Sequence, residues 1–178
     1  MKLFITLFLA FCSIYVSNAQ SYRPVDDKSS VKFGIKNFGV KTGGDFKGLE
    51  GLIEFDKSNP DKAQFDISIQ AATVNTDNNT RDNHLRKEEY FDVEKYPKIT
   101  FKSEKVSSKG NGFSVSGKLT IKGVTKSLSF PFTAVAKDDG YLFEGSFDIN
   151  RKDFKVGGNS MVLGDNVTVT LSVFAGKK

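Results

Sequence analysis

Most of this chain alternates between apolar and polar positions with a period of two residues. In residues 31–36, for example, the odd positions are apolar and the even positions are lysine or glycine. Successive side chains of a strand point to opposite faces, so this alternation predicts strands with one buried face. The chain is therefore predicted to be all-β, and eight segments show the pattern: residues 31–36, 46–55, 65–71, 99–104, 113–121, 128–134, 141–149 and 167–173.

Short turns join most of the predicted strands. Asn111-Gly112 and Asp138-Asp139-Gly140 have the composition of tight hairpin turns, and Gly123 indicates another turn. Within residues 46–55, Phe46 is out of phase with the apolar positions that follow it. We therefore expect a bulge or a strong bend near the start of that strand.

Eight consecutive strands joined by short turns fit an up-and-down antiparallel barrel, which has no exposed sheet edges. A sandwich of two sheets would show the same periodicity, but several strands of about ten residues favour the barrel. An eight-stranded barrel holds one ligand when side chains do not fill it. Glycines at the inward positions Gly117 and Gly145 would leave room inside or would mark bends, and both interpretations stay open.

Residues 75–97 break the alternation and form the longest connection, between the third and fourth predicted strands. They contain His84, the only histidine, and two of the four arginines. We predict a short helix over residues 79–86 with Asp77 or Asn78 as its N-cap. Leu85, Tyr90 and Phe91 are expected to turn toward the barrel, so that the connection borders or closes its mouth.

The first 19 residues have the composition of a secretory signal. A positive start is followed by an apolar run over residues 3–16 and by small residues at 17 and 19. The run is too short for an ordinary membrane span of about 20 residues. We therefore expect cleavage near Ala19-Gln20, one mature domain over residues 20–178, and a periplasmic or secreted protein without a stable membrane span.

The composition of the remaining chain excludes several functions. Its only cysteine, Cys12, lies in the predicted signal, so disulfides and thiol chemistry are not expected. The formal charge of the full chain is +5, but the lysines are scattered along alternating strands, which argues against a nucleic-acid partner. The chain has 17 phenylalanines and no tryptophan, which suits a large apolar interior.

Candidate catalytic residues are few. Asp82 and His84 lie two positions apart in the sequence and are candidates for an acid–base pair. A lone histidine in a polar stretch, however, is more often structural. One imidazole without a thiolate does not make a usual metal site, and no phosphate-binding motif is present. We predict no metal, no cofactor and no enzymatic activity.

Several segments in this order resemble the YceI-like lipid/polyisoprenoid-binding family. They cover nearly the whole chain after the predicted signal: residues 30–33 (SVKF), 44–48 (GDFKG), 80–85 (TRDNHL), 90–92 (YFD), 96–103 (YPKITFKS), 117–126 (GKLTIKGVTK) and 150–154 (NRKDF). One departure is Lys87, where many relatives have serine. The resemblance implies an eight-stranded lipocalin-like barrel, exported to the bacterial periplasm, that holds an isoprenoid chain or a similar amphiphile.

The resemblance and the apolar interior together predict a protein that binds a polyisoprenoid, a prenyl quinone or a similar lipid for transport, storage or sequestration. The predicted cavity lining is Phe33, Ile35, Phe65, Ile67, Phe101, Phe113, Val115, Leu119, Phe130, Phe132, Phe143, Phe147, Val169 and Leu171. Some of these phenylalanines are expected to plug the closed end instead. The candidates for a polar mouth that meets the headgroup are Arg81, Asp82, His84, Arg86 and Arg151.

Two other functions remain open at this point. One is a barrel enzyme that acts on an isoprenoid lipid through Asp82 and His84. The other is a filled barrel that serves only protein contacts. A homodimer is also left open.

Overall fold

The computed structural model describes residues 20–178, and the predicted signal, residues 1–19, lies outside the described residues. The described chain folds into ten strands and one α-helix. The strands are β1 (Gln20–Pro24), β2 (Ser30–Asn37), β3 (Val40–Phe46), β4 (Glu50–Phe55), β5 (Gln64–Gln70), β6 (Lys98–Lys109), β7 (Gly112–Ile121), β8 (Val124–Lys137), β9 (Gly140–Asn150) and β10 (Leu163–Lys177). The helix is α1 (Asn79–Leu85), and four short 3₁₀ segments lie at Asp26–Lys28, Pro60–Lys62, Ala71–Thr73 and Arg151–Phe154.

All neighbouring strands are antiparallel, and they close into one barrel. The order runs β1-β4-β5-β6-β7-β8-β9-β10, and β10 pairs with β1 again. Strand β10 is long enough to pair with β2 over its first part and with β1 over its last residues. The pairs β1/β2 and β3/β4 thus each occupy one position of an eight-position barrel. The predicted barrel is confirmed, and the two-sheet alternative is wrong because one closed sheet contains every strand.

The start of the chain differs from the prediction. Strand β1 was not predicted, because residues 20–24 do not alternate. Residues 39–44, which lie between the first two predicted strands, belong largely to β3, which pairs with β2 over its whole length. Glycines permit this pairing, since a Cβ at Gly43 would lie 2.5 Å from the Phe33 carbonyl oxygen. Phe46 ends β3, and the expected bend follows at Gly48, with φ +72°.

Two-residue turns join several of the hairpins. Phe38 and Gly39 join β2 to β3, and Lys122 and Gly123 join β7 to β8, all four with positive φ. Gly112 is already paired with Lys109. The turn predicted at Asn111-Gly112 therefore lies one residue earlier, at 110–111.

Aromatic rings fill one end of the barrel. Phe55 is 1% exposed and lies at the centre, with the rings of Phe113, Tyr141 and Phe143 at centroid distances of 5.1–5.3 Å. We call this end the filled half; its rings are Tyr22, Phe55, Phe65, Phe113, Phe132, Tyr141 and Phe143. Their edge-to-face arrangements are those that aromatic pairs prefer.

The inward glycine Gly117 serves a close approach between strands. A Cβ there would lie 2.3 Å from the Lys102 carbonyl oxygen, at the register shift between Ser103 and Lys105. At Gly145 the nearest atom to a Cβ would be the Pro131 carbonyl oxygen, at 3.1 Å. Neither Gly117 nor Gly145 is among the residues that line the cavity described below.

The long connection carries α1 at Asn79–Leu85. The Asn78 side chain accepts a hydrogen bond from the Arg81 amide at 3.0 Å, which makes it the N-cap. Leu85 at the end of the helix and Tyr90 and Phe91 beyond it pack against the core. Arg86 donates to the carbonyl oxygens of Ala72 and Val74, and these bonds tie the helix to the segment that follows β5.

Candidate functional site

The other half of the barrel is hollow. A cavity of about 230 Å³ lies between the filled half and the end at which the long connection crosses. Its wall comes from β2, β3, β5, β6, β7, β8, β9 and β10, with further side chains from α1 and the segment after it. We call this part the hollow half. The wall is mostly aliphatic and aromatic, and none of the described residues that line it is Asp or Glu.

Nine of the fourteen residues predicted to line a cavity do line it. They are Phe33, Ile35, Ile67, Phe101, Leu119, Phe130, Phe147, Val169 and Leu171. Of the other five, Phe65, Phe113, Phe132 and Phe143 belong to the filled half, and Val115 is buried opposite Val106. Period-two alternation identifies the inward face of a strand, but it does not tell at which height along the barrel a side chain lies.

Aromatic rings also border the cavity, but in smaller groups. Phe130 and Phe147 lie 4.6 Å apart, and Phe46 lies between Phe33 at 5.5 Å and Phe91 at 5.4 Å. Phe33, Phe91 and Phe147 are only partly buried although they lie inside the fold, because one side of each ring faces the cavity. These rings can change rotamer into open space, which the rings of the filled half cannot do.

Several lining residues were not among the predicted set. Ile69, Ile99, Ile121 and Ile149 continue the inward alternation at the strand ends nearest the mouth, so the same pattern could have found them. Leu85, Tyr90 and Phe91 line the cavity from the long connection. Phe154 and Val156 follow β9 in a segment without alternation and Leu163 begins β10, and only the folded chain brings these residues to the wall.

Arg151 lines the cavity and is 4% exposed. Its guanidinium donates to the carbonyl oxygens of Gly164, Val156 and Gly158 at 2.9–3.0 Å, to that of Leu163 at 3.4 Å, and to the Asp165 carboxylate at 3.0 Å. These bonds use all five N–H groups of the side chain. Arg151 therefore holds the β9–β10 connection in place.

Asp165 completes this arrangement from the start of β10. Lys152 contacts its other carboxylate oxygen at 2.9 Å. The hydrogen bond from Lys152, together with the positive charges of Lys152 and Arg151, holds the pKa of the Asp165 carboxyl below its ordinary value.

Arg81 is the second arginine at the cavity wall. Its Nε donates to Thr76 Oγ1 at 2.7 Å, and its Nη2 donates to the Thr76 carbonyl oxygen at 2.6 Å. The described residues offer no acceptor to its three remaining N–H groups. Arg81 is thus oriented by the protein and still has donors to offer.

The remaining mouth candidates do not line the cavity. Asp82 is buried and accepts from the Thr76 amide at 2.9 Å and from Thr76 Oγ1 at 2.5 Å. Half-exposed His84 packs its ring 5.1 Å from that of Tyr90 and contacts Glu89 at 3.5 Å. Arg86 is bound to backbone carbonyls, as described above. Asp82 and His84 have separate partners and do not form the acid–base pair that an enzymatic barrel would need.

Residues 20–178 show neither a metal-binding cluster nor a helix that could cross a membrane. This part of the chain has no group of three His, Cys, Asp or Glu side chains placed to hold a metal ion. None of the helices in the same range is long and apolar enough to cross a membrane.

A closed antiparallel barrel with an apolar cavity, filled at one end, defines a lipocalin-like barrel of the kind that holds one small apolar ligand. Comparison with known proteins agrees with this class. The model of the YceI-like domain matches residues 22–175, and the chain belongs to that family.

The chain is similar to UPF0312 proteins of two organisms. The chain is 39% identical over 117 residues to a UPF0312 protein of Photorhabdus laumondii, covering 62% of this chain and 61% of the relative. It is 35% identical over 150 residues to a UPF0312 protein of Yersinia pestis, covering 80% and 78%. The alignment thus spans less than two thirds of the Photorhabdus protein.

Solved structures share the fold. The crystal structure of Burkholderia cenocepacia BcnA matches with a TM-score of 0.79 at 27% identity, covering 83% of this chain and 96% of that one. The Campylobacter jejuni YceI protein matches with 0.68 at 32% identity, covering 76% and 84%. A domain from Saccharophagus degradans matches with 0.70 at 17% identity, covering 89% and 99%, and is described as a polyisoprenoid binding domain implicated in plant cell wall breakdown.

Proposed function

We propose that this chain is an exported binding protein that holds the apolar tail of a polyisoprenoid, a prenyl quinone or a similar lipid inside its barrel. The role would be transport, storage or sequestration. The observation that carries the proposal is the hollow half, a largely apolar cavity inside a closed barrel. Each methylene buried there contributes roughly 0.8 kcal/mol, so a tail alone gives substantial affinity.

The size of the cavity limits how much of a tail it holds as it stands. An apolar cavity of about 150 Å³ is known to hold benzene, so about 230 Å³ corresponds to roughly nine or ten carbon atoms, about two isoprene units. A longer tail requires either that rings such as Phe33 and Phe147 move aside or that part of the ligand leaves through the mouth.

Arg81 is the residue that we propose for the headgroup. Arg151 has no free donor, whereas Arg81 keeps three N–H groups and lines the cavity. With no carboxylate in the wall to neutralise it, its guanidinium would attract a phosphate, a carboxylate or a quinone oxygen. The described polyisoprenoid binding by the Saccharophagus domain is compatible with this chemistry, and the likeness to that domain concerns the fold alone.

The test is direct identification of the bound molecule. The protein is purified without detergent, its N-terminal residue is read by mass spectrometry, and organic extracts are searched for lipids. We expect an N-terminus at Gln20 and a reproducible lipid with a long apolar tail. Extracts without lipid, together with no uptake of added prenyl chains, would refute the binding function, and an intact N-terminus would refute export by signal cleavage.

A matched pair of variants connects the lipid to the cavity. Ile67→Phe with Leu171→Phe enlarges two side chains of the hollow half, and we expect this double variant to retain at most about a tenth of the bound lipid, because the added carbons take the place of the tail. Val135→Phe makes the same kind of enlargement at an exposed position and should leave lipid content unchanged. Equal lipid content in both would place the lipid outside the cavity.

A further inference from the structure

Exposed apolar side chains gather at one place on this protein. Five large apolar side chains of residues 20–178 are strongly exposed, and four of them lie in the β2–β3 hairpin or in the β9–β10 connection. We call these four the rim patch: Phe38 (75% exposed), Val40 (66%), Met161 (105%) and Val162 (39%). The fifth, Val135, lies on β8. Contiguous apolar exposure of this kind marks an interaction surface more often than scattered single residues do.

The rim patch adjoins the cavity. Asn37 and Leu163 are strand partners and both line the cavity. The next residues outward are Phe38 and Val162, and the Phe38 amide donates to the Val162 carbonyl oxygen at 2.9 Å. The rim patch therefore lies next to the part of the cavity wall that Asn37 and Leu163 form.

The backbone conformation at Phe38, whose ring is exposed to solvent, is energetically unfavourable. Phe38 has φ +50° in a two-residue turn, a position where asparagine, aspartate and glycine are favoured. A bulky residue is unfavourable in this left-handed region. Local turn preference does not explain a phenylalanine here, whereas a role for the exposed ring does.

Within the segments that carry the rim patch every charged residue is a lysine, and Asp45, Asp153 and Asp165 directly adjoin those segments. Residues 36–44 and 154–164 contain no Asp or Glu. Lys36 and Lys41 are directly opposite each other on β2 and β3, and within residues 20–178 neither has an ion pair. Like charges in this arrangement repel, and an anionic surface against them would remove the repulsion.

We propose that the rim patch docks into the surface of an anionic lipid bilayer, with Phe38 and Met161 inserted among the acyl chains and Lys36 and Lys41 against the headgroups. Apolar residues that project from a turn, flanked by lysines, fit the interface of a membrane. A protein partner would instead offer acidic side chains in a matching groove. Docking would bring the cavity mouth to the source of its ligand. The delivery of a ligand from the membrane to the cavity rests on the proposed function, whereas the docking itself does not.

The absence of tryptophan from the chain allows a clean test. Phe38→Trp places the only tryptophan of the chain in the rim patch, and Val135→Trp places a matched one at the exposed position outside it. The probes are vesicles of phosphatidylcholine alone or with phosphatidylglycerol at three to one, with and without brominated acyl chains. The proteins used are those whose N-terminus at Gln20 has been verified.

We expect the Phe38→Trp emission to shift to shorter wavelength and to be quenched by brominated chains only with the anionic vesicles, while Val135→Trp does not respond. Lys36→Gln with Lys41→Gln in the Phe38→Trp background should weaken vesicle binding roughly thirtyfold, because each lysine near an anionic surface contributes about a fivefold factor.

Three results would overturn the proposal. They are no shift with anionic vesicles, an equal response of Val135→Trp, and a shift that depends on protein concentration without vesicles, which would identify the occupant as a second copy of the chain. The result of lipid extraction is interpreted separately from the vesicle binding. Bound lipid without vesicle docking refutes only this inference, and docking without bound lipid refutes only the proposed function.

Discussion

The filled and hollow halves of the barrel share β5, β7, β8 and β9 and differ in what their inward side chains leave between them. In the filled half, rings from several strands meet at one height, so that Phe55 contacts five other rings. In the hollow half, rings alternate with branched aliphatic residues such as Ile67, Leu119 and Leu171, and the space at the centre stays open. A chain without disulfides thus concentrates its stability in one half and keeps the other available for a ligand.

The largest expected effect comes from removing the central ring of the filled half. Phe55→Ala should lower the free energy of unfolding by about 3–5 kcal/mol, because the surrounding rings cannot collapse into the space. Phe147→Ala, the same change in the hollow half, should cost about 1–2 kcal/mol, because one side of that ring already faces the cavity. Chemical denaturation of both variants measures the difference, and equal losses would mean that the two halves are equally packed.

The second largest effect on stability is expected at Arg151, in the wall of the hollow half. Arg151→Met should cost about 2–4 kcal/mol, since several carbonyl groups and the Asp165 carboxylate lose a buried donor. Arg81→Met, which removes an arginine with fewer bonds, should cost less than half as much. Denaturation midpoints give the comparison. A larger loss for Arg81→Met would contradict the assignment of Arg151 as the residue that holds the connection.

For a change at Arg81 we expect a smaller effect on stability and a large effect on lipid binding. Arg81→Gln should lower affinity for a lipid with an anionic headgroup by about tenfold, because a charge-assisted hydrogen bond is lost, and should leave binding of the matching uncharged prenyl alcohol within about twofold. Fluorescent-lipid displacement measures both. An equal loss for the two ligands would show that Arg81 shapes the cavity instead of meeting the headgroup.

The smallest effect is the pH dependence that Asp165 contributes. Because the folded protein lowers its pKa, Asp165 stabilises the fold above its unfolded pKa, and this contribution is lost as the pH falls through the folded value, below roughly pH 4. The stability difference between the wild type and Asp165→Asn should therefore be largest near pH 7 and should shrink at pH 3. Denaturation at both pH values measures it, and a constant difference would refute the linkage.

Much of the fold could be predicted from local pattern. The period of two identified the strands β2 and β4–β10, at least over their central residues, because each has one face against the interior. It did not detect β1, whose residues do not alternate, or β3, whose glycines pair closely with β2. Turn composition located the hairpins to within a residue, as the shift at 110–111 shows.

The sequence alone determined that Phe65 and Phe101 both face inward, that the interior is rich in aromatic rings, and that Asn78 or its neighbour would cap a helix. Only the tertiary structure decided that Phe65 belongs to the filled half while Phe101 borders a cavity. The height of a residue along a barrel depends on the register and tilt of strands distant in sequence. The same holds for the rim patch, where a backbone hydrogen bond joins Phe38 to Val162, residues that no local pattern connects.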